Sequence, residues 1–195
     1  MDSVKIIEKR RVFDDIFKVD EAVVEYRKHD GSWSAPVRRL SFERGESVAA
    51  LLVRPETGRL VLVNQFRYPT HAKGPGWLNE VVAGVIDEGE TPETALRREI
   101  REETGCEVAR LERIAAFYAS PGGSSERIFL YYGELVPGHS SRDGGLGVGD
   151  EDIKVVEFSP AELWQLFTAG ELADASTVIA LLWYRLHHGS EFENG

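Results

Sequence analysis

Thr91-Pro92-Glu93 and Gly105 pin down the two ends of one helix, and with its register set they constrain everything around it. Thr91 is a side-chain cap, Pro92 has the fixed φ that suits a first helical position, and Glu93 meets the positive end of the helix dipole. Gly105 accepts the left-handed conformation that ends a helix. On both sides of this helix the pattern turns to strands. Val4 to Ile7, Val12 to Val19, Ala22 to Tyr26 and Val48 to Val53 are rich in β-branched and aromatic residues, several in alternation. Asp30-Gly31 signals a hairpin between Tyr26 and Trp33, and Leu60 to Phe66 follows the turn at Glu56-Thr57-Gly58. Trp77 to Val82, Val108 to Tyr118, Arg127 to Val136 and Ile153 to Phe158 complete the expected strands. Two helices close the chain: one opens at Ser159-Pro160 and runs to about Thr168, the other spans Ser176 to His187 with Val178, Leu181, Leu182 and Leu186 on helical spacing. Strands around a central helix, with a helical end, predict a mixed α/β sandwich.

At 195 residues the chain has room for one medium domain with an appended element, and not for two independent large ones. Its single cysteine, Cys106, rules out an intrachain disulfide, so packing must hold the fold, as suits a reducing compartment. No apolar run is long enough to span a bilayer. Charged residues recur through the first twenty positions (Lys5, Glu8, Lys9, Arg10, Arg11, Asp14, Asp15), leaving no apolar signal segment, so a cytoplasmic location is the expectation. A formal charge of -10 argues against nucleic acid or an anionic membrane as partner, and an enzyme of that charge acting on phosphate needs local cations.

Glu99, Glu102 and Glu103 stand at i, i+3 and i+4, on one face of the central helix. Such a cluster has two readings. It is a solvated face in which Arg98 pairs with Glu102 and Glu93 with Arg97, or it is a site for hard divalent cations, which prefer carboxylate and carbonyl oxygens. Helical spacing alone does not separate them; the wider context does. Gly84 is followed after five residues by Glu90, and after seven more by Arg98-Glu99-Ile100-Arg101-Glu102-Glu103-Thr104-Gly105-Cys106. This resembles the Nudix box at every fixed position, with Cys106 as a small hydrophobe in its last apolar place. The resemblance implies a loop-helix-loop in which Glu99 and Glu103 bind Mg²⁺ or Mn²⁺, the carbonyl of Ala83 completes the metal shell, and Glu102 assists. Arg98 would orient the carboxylates and Glu90 would support the loop. Bound cations would neutralise a pyrophosphate and help hold a water in line for attack on phosphorus.

Beyond the box, Gln65-Phe66-Arg67, Glu80-Val81-Val82-Ala83-Gly84, Ser120-Pro121-Gly122-Gly123 and Asp150-Glu151-Asp152-Ile153 look like the branch of the family acting on ADP-ribose, GDP-mannose and related sugar nucleotides. The resemblance then implies a Nudix fold, a mixed-sheet α/β/α sandwich over residues 46–195, with an N-terminal antiparallel β extension over 1–45 that pairs two subunits. Arg67, Arg39, Glu80, Pro121 and Gly122 are its candidate substrate-binding residues, and Glu151, with Glu102 and Arg98, its candidate catalytic ones. Each has a plainer alternative. Pro121 fits an ordinary turn, Arg67 a surface salt bridge, and Glu151 a loop kept soluble by Asp143, Asp150 and Asp152. Tyr26 and Trp33 fit either base stacking or strand packing. The implied function is metal-dependent hydrolysis of the pyrophosphate of ADP-ribose, to AMP and ribose 5-phosphate, or of GDP-mannose, to GMP and mannose 1-phosphate. A non-enzymatic sugar-nucleotide sensor and a nucleoside triphosphate pyrophosphatase are the alternatives.

Overall fold

A computed structural model describes residues 3–138 and 152–192. In chain order the elements are β1 (Val4–Asp14), β2 (Lys18–Tyr26), β3 (Val37–Glu43), β4 (Glu46–Val53), β5 (Leu60–Phe66), α1 (Tyr68–His71), β6 (Trp77–Glu80), β7 (Val82–Val85), α2 (Pro92–Thr104), β8 (Val108–Tyr118), β9 (Arg127–Leu135), β10 (Lys154–Phe158), α3 (Pro160–Thr168) and α4 (Ala175–His187). The chain divides into two compact units, Met1–Glu46 with Tyr118–Arg127, and Ser47–Phe117 with Ile128–Gly195.

In the first unit β1, β2 and β3 form an antiparallel three-stranded sheet, with β1 and β3 as its edges. Its cross-strand contacts are ionic as well as apolar: Arg11 donates to Asp20 at 2.7 Å, and Glu21 lies between Arg10 and Arg38. β1 is exposed along its whole length. Two sequence expectations are corrected here. The strand expected over Val12 to Val19 is cut by a turn at residues 15–17, where the Asp15 carboxylate accepts from the Ile16 amide at 2.7 Å. Ile16 and Phe17 are apolar, and this hides the turn from a pattern reading. β3 was not anticipated, because its Arg38 and Arg39 break the alternation; what makes it a strand is its register on β2, Arg39 opposite Ala22 and Val37 opposite Val24. The Asp30-Gly31 turn forms as expected, with Gly31 at φ 80° and a bridge between Arg27 and Trp33.

The second unit is built on a seven-stranded sheet, ordered β10-β5-β4-β9-β8, with β6 on β5 and β7 on β4. Alternation along the central strands divides their side chains between two cores. Val48, Ala50 and Leu52 of β4, with Val61 and Val63 of β5, pack against Ala95, Leu96 and Ile100 of α2. Ala49, Leu51, Val53, Leu60 and Leu62 face the other way, onto Leu163 of α3 and Ala180, Leu181 and Tyr184 of α4. Burying both faces of a sheet calls for the near-continuous apolar runs that β4 and β5 have. The mixed α/β architecture expected from sequence is therefore present, as helix, sheet and helix layers.

α2 starts and ends where its caps require. The Thr91 side chain accepts from the Thr94 amide at 3.2 Å, and Gly105 takes φ 70° while its amide reaches the Arg101 carbonyl at 2.9 Å. Ser159 and Glu162 form a reciprocal capping box on α3. One strand expected at Trp77 to Val82 is two, because the chain changes partner strand at Val81.

Candidate active site

One face of α2 carries the acidic residues, and the turn before it lies alongside. Arg98 is the hub. Its guanidinium reaches Glu90 at 2.9 and 3.1 Å, Glu99 at 2.7 Å, Glu102 at 3.1 Å and the carbonyl of Val85 at 3.1 Å. The carboxylates, Glu90 first, raise the Arg98 pKa, and Arg98 in turn holds Glu90 below the usual carboxylate range. Glu90 also accepts from the Asp87 amide at 3.1 Å, which ties the turn between β7 and α2 to the helix. Arg97, which the solvated-face reading would pair with Glu93, donates to the Val108 carbonyl at 2.8 Å.

Glu99 packs directly on Gly84: a Cβ placed on that glycine would stand 2.0 Å from the Glu99 carboxylate. Only a residue without a side chain permits this approach. Glu103, one turn on, is buried, with 6% of its surface exposed, and a carboxylate so placed needs hydrogen bonds, an ion pair or a bound cation to offset its lost hydration. Among the described residues no three Asp, Glu, His or Cys side chains converge on a point. The set implied for a cation is instead two carboxylates and one carbonyl: Glu99, Glu103 and the backbone of Ala83, the residue beside the glycine on which Glu99 rests. All three supply hard oxygen donors, and the cradle at Gly84 brings a carboxylate onto that backbone, so the residues present fit a divalent cation.

Arg67 and Glu80 form a second focus in the same unit. Arg67 donates to Glu80 at 2.9 Å, and Gln65 donates to the same carboxylate oxygen at 3.1 Å. Glu80 is buried, and burial pushes its pKa up against the opposing pull of Arg67, with Asp174 adding to the rise. Arg39, Pro121 and Gly122 lie in the other unit. Arg39 is exposed on β3, bonded to the Arg38 carbonyl at 3.0 Å. Pro121 and Gly122 are exposed in a turn closed onto the Ser120 carbonyl by Gly123 at 3.0 Å and Ser124 at 2.9 Å. Lys5 and Arg27 stand over the Trp33 ring, 3.9 and 4.5 Å from its centroid. Glu151 lies outside the described residues.

The sequence reading missed the partners of Glu80. Gln65 is in reach because β5 and β6 pair in register, Gln65 opposite Leu78 and Val63 opposite Glu80. It missed Thr177 as well, whose hydroxyl accepts from the Val81 amide at 2.9 Å across 96 positions of sequence. No local pattern announces either contact.

The comparisons agree with this geometry. The NUDIX domain family matches residues 43–180. The ADP-ribose pyrophosphatase of Escherichia coli strain K12 is 38% identical over 186 residues, covering 95% of this chain and 89% of that protein. The GDP-mannose pyrophosphatase of Pectobacterium atrosepticum is 33% identical over 180 residues, covering 91% and 92%. A crystal structure of an ADP compounds hydrolase shares the fold, with a TM-score of 0.73 at 20% identity over 98% of this chain and 97% of that one. The chain belongs to the Nudix family of hydrolases.

Proposed function

We propose that this chain hydrolyses the pyrophosphate bond of a nucleoside diphosphate sugar, with ADP-ribose ahead of GDP-mannose as substrate and Mg²⁺ or Mn²⁺ as cofactor. The observation that carries the reading is the packing of Glu99 on Gly84 beside buried Glu103. The order of substrates follows the higher identity to the ADP-ribose pyrophosphatase, 38% against 33%.

Glu99, Glu103 and the Ala83 carbonyl would hold the cation, which when bound neutralises phosphate charge and polarises the phosphorus under attack. Arg98 keeps Glu99 and Glu102 in place and lowers the repulsion among the three carboxylates. Arg67 presents a guanidinium suited to bidentate phosphate contact, steadied from beneath by Glu80. The resemblance to the sugar-nucleotide branch adds Arg39, Pro121 and Gly122 as candidate substrate contacts. With the acids on α2 engaged, proton removal from the attacking water falls to Glu151. The working form is a cytoplasmic homodimer joined through residues 1–45.

The test is Glu103→Gln, assayed with and without a chelator. Wild-type activity should vanish in EDTA and return with Mg²⁺. The variant should unfold at the wild-type temperature yet turn over at least ~10²-fold more slowly, since it lacks one charge that stabilises the transition state. Activity that survives EDTA, or a variant that turns over at the wild-type rate, would refute the assignment.

A further inference from the structure

The fork between β4 and β5 has a backbone problem that the sheet does not solve by itself. The two strands pair at Leu52↔Val61 and Val53↔Leu60, then take different partners. β6 runs along β5, ending at Val63↔Glu80, and β7 runs along β4, starting at Ala50↔Val82. Val81 is the single residue between those two ladders, and it is 1% exposed. A backbone N–H at such a place needs an acceptor, because leaving a buried donor unmade is costly.

Thr177, in the first turn of α4, supplies one. Its hydroxyl accepts from the Val81 amide at 2.9 Å and donates to Asp174 at 2.7 Å, and its own amide donates to Asp174 at 2.8 Å. Thr177 is fully buried, so water does not compete. The carboxylate that caps α4 thus orients the hydroxyl that holds the strand switch. The phase of the chain at Val81 sets both foci of the site. One residue earlier is Glu80, which holds Arg67; two residues later is Ala83, and then Gly84, on which Glu99 rests.

We infer that Thr177 is a positioning residue for the active site: from the sheet face opposite α2, its hydroxyl fixes the strand switch that places the Ala83-Gly84 backbone against Glu99. This rests on the metal-assisted reading above. Partners that orient ligands from behind change metal affinity or activity by about 10–100-fold when removed.

The experiment compares wild-type protein with Thr177→Val, which keeps the shape and loses the hydroxyl, and Thr177→Ser, which keeps the hydroxyl. Mn²⁺ affinity is read from the free-ion signal in electron paramagnetic resonance, alongside kcat and KM for ADP-ribose and the unfolding temperature. Thr177→Val should weaken Mn²⁺ binding and lower kcat about tenfold each with little change in KM, and Thr177→Ser should return both to within about twofold. Leu181→Ala, which destabilises the same helix from the same core but keeps the hydroxyl that holds the Val81 amide, should leave Mn²⁺ affinity and kcat unchanged. If Thr177→Val does not fold, Asp174→Ala, which removes the acceptor orienting the hydroxyl, should weaken Mn²⁺ binding in its place. Wild-type Mn²⁺ affinity in the folded Thr177→Val variant, or in Asp174→Ala as its substitute, would overturn the inference. So would a Thr177→Ser variant as impaired as Thr177→Val, or equal losses in Leu181→Ala. A wild-type protein that binds no Mn²⁺ and works without metal would overturn the metal-assisted reading as well, which separates the two failures.

Discussion

At the scale of single residues, the site depends on one absence, the missing side chain of Gly84. Its backbone angles are open to other residues, since its φ is not positive, so the need for glycine comes from the space Glu99 fills. Gly84→Ala should therefore fold nearly as well as wild type, because a flexible carboxylate can swing aside. Glu99 would leave its place, and kcat/KM should fall by ~10²-fold, comparable to losing a charged contact to the transition state. Steady-state kinetics beside a thermal melt would check this; a wild-type rate in Gly84→Ala would show that Glu99 need not rest there. The acidic residues were legible from spacing and context alone, because helical geometry fixes which of them share a face. Their hub was half legible: the Arg98–Glu102 pair follows from i,i+4 spacing, but the contacts of Arg98 to Glu90 and to the Val85 carbonyl depend on how the preceding turn folds back. The Gln65–Glu80 contact needed strand register, and the Thr177–Val81 contact needed the tertiary fold.

Among the elements, legibility tracked the locality of the forces that define them. α2 and α3 were readable at their ends because capping is a matter of neighbouring residues. β4 and β5, buried on both faces, announced themselves as apolar runs. β3 did not, since a polar strand is defined by its partner, and the switch from β6 to β7 is set by competition between two neighbouring strands. The N-terminal sheet illustrates a partner-defined element held by charge. Arg11 first, then Lys9, pull the Asp20 pKa down to about 2, and burial opposes them. A carboxylate depressed on folding contributes stability above its unfolded pKa, and that contribution is lost as the pH falls through its folded value. Asp20→Asn should thus be less stable than wild type at neutral pH, and the gap should close as the pH drops from about 4 towards about 2. Denaturant melts across that range measure it; a gap independent of pH would contradict the ion-pair account.

For the molecule as a whole, β1 poses the question of what covers it. It is an edge strand, and Val4, Ile6, Ile7, Val12 and Phe13 are all exposed on it. Open edges and contiguous apolar surface invite pairing, and a two-fold partner is the commonest solution. Light scattering at micromolar concentration should report about twice the chain mass of 21.8 kDa; a clean monomer would refute the dimer. The central claim, that this chain splits the pyrophosphate of a nucleoside diphosphate sugar, meets its most direct test in a substrate panel. ADP-ribose, GDP-mannose and nucleoside triphosphates would be incubated with Mg²⁺, and phosphate measured after phosphatase is added to release it from monoester products. The account predicts metal-dependent product from ADP-ribose, GDP-mannose or both, well ahead of any triphosphate; turnover of triphosphates alone, or binding of sugar nucleotides without turnover, would contradict it.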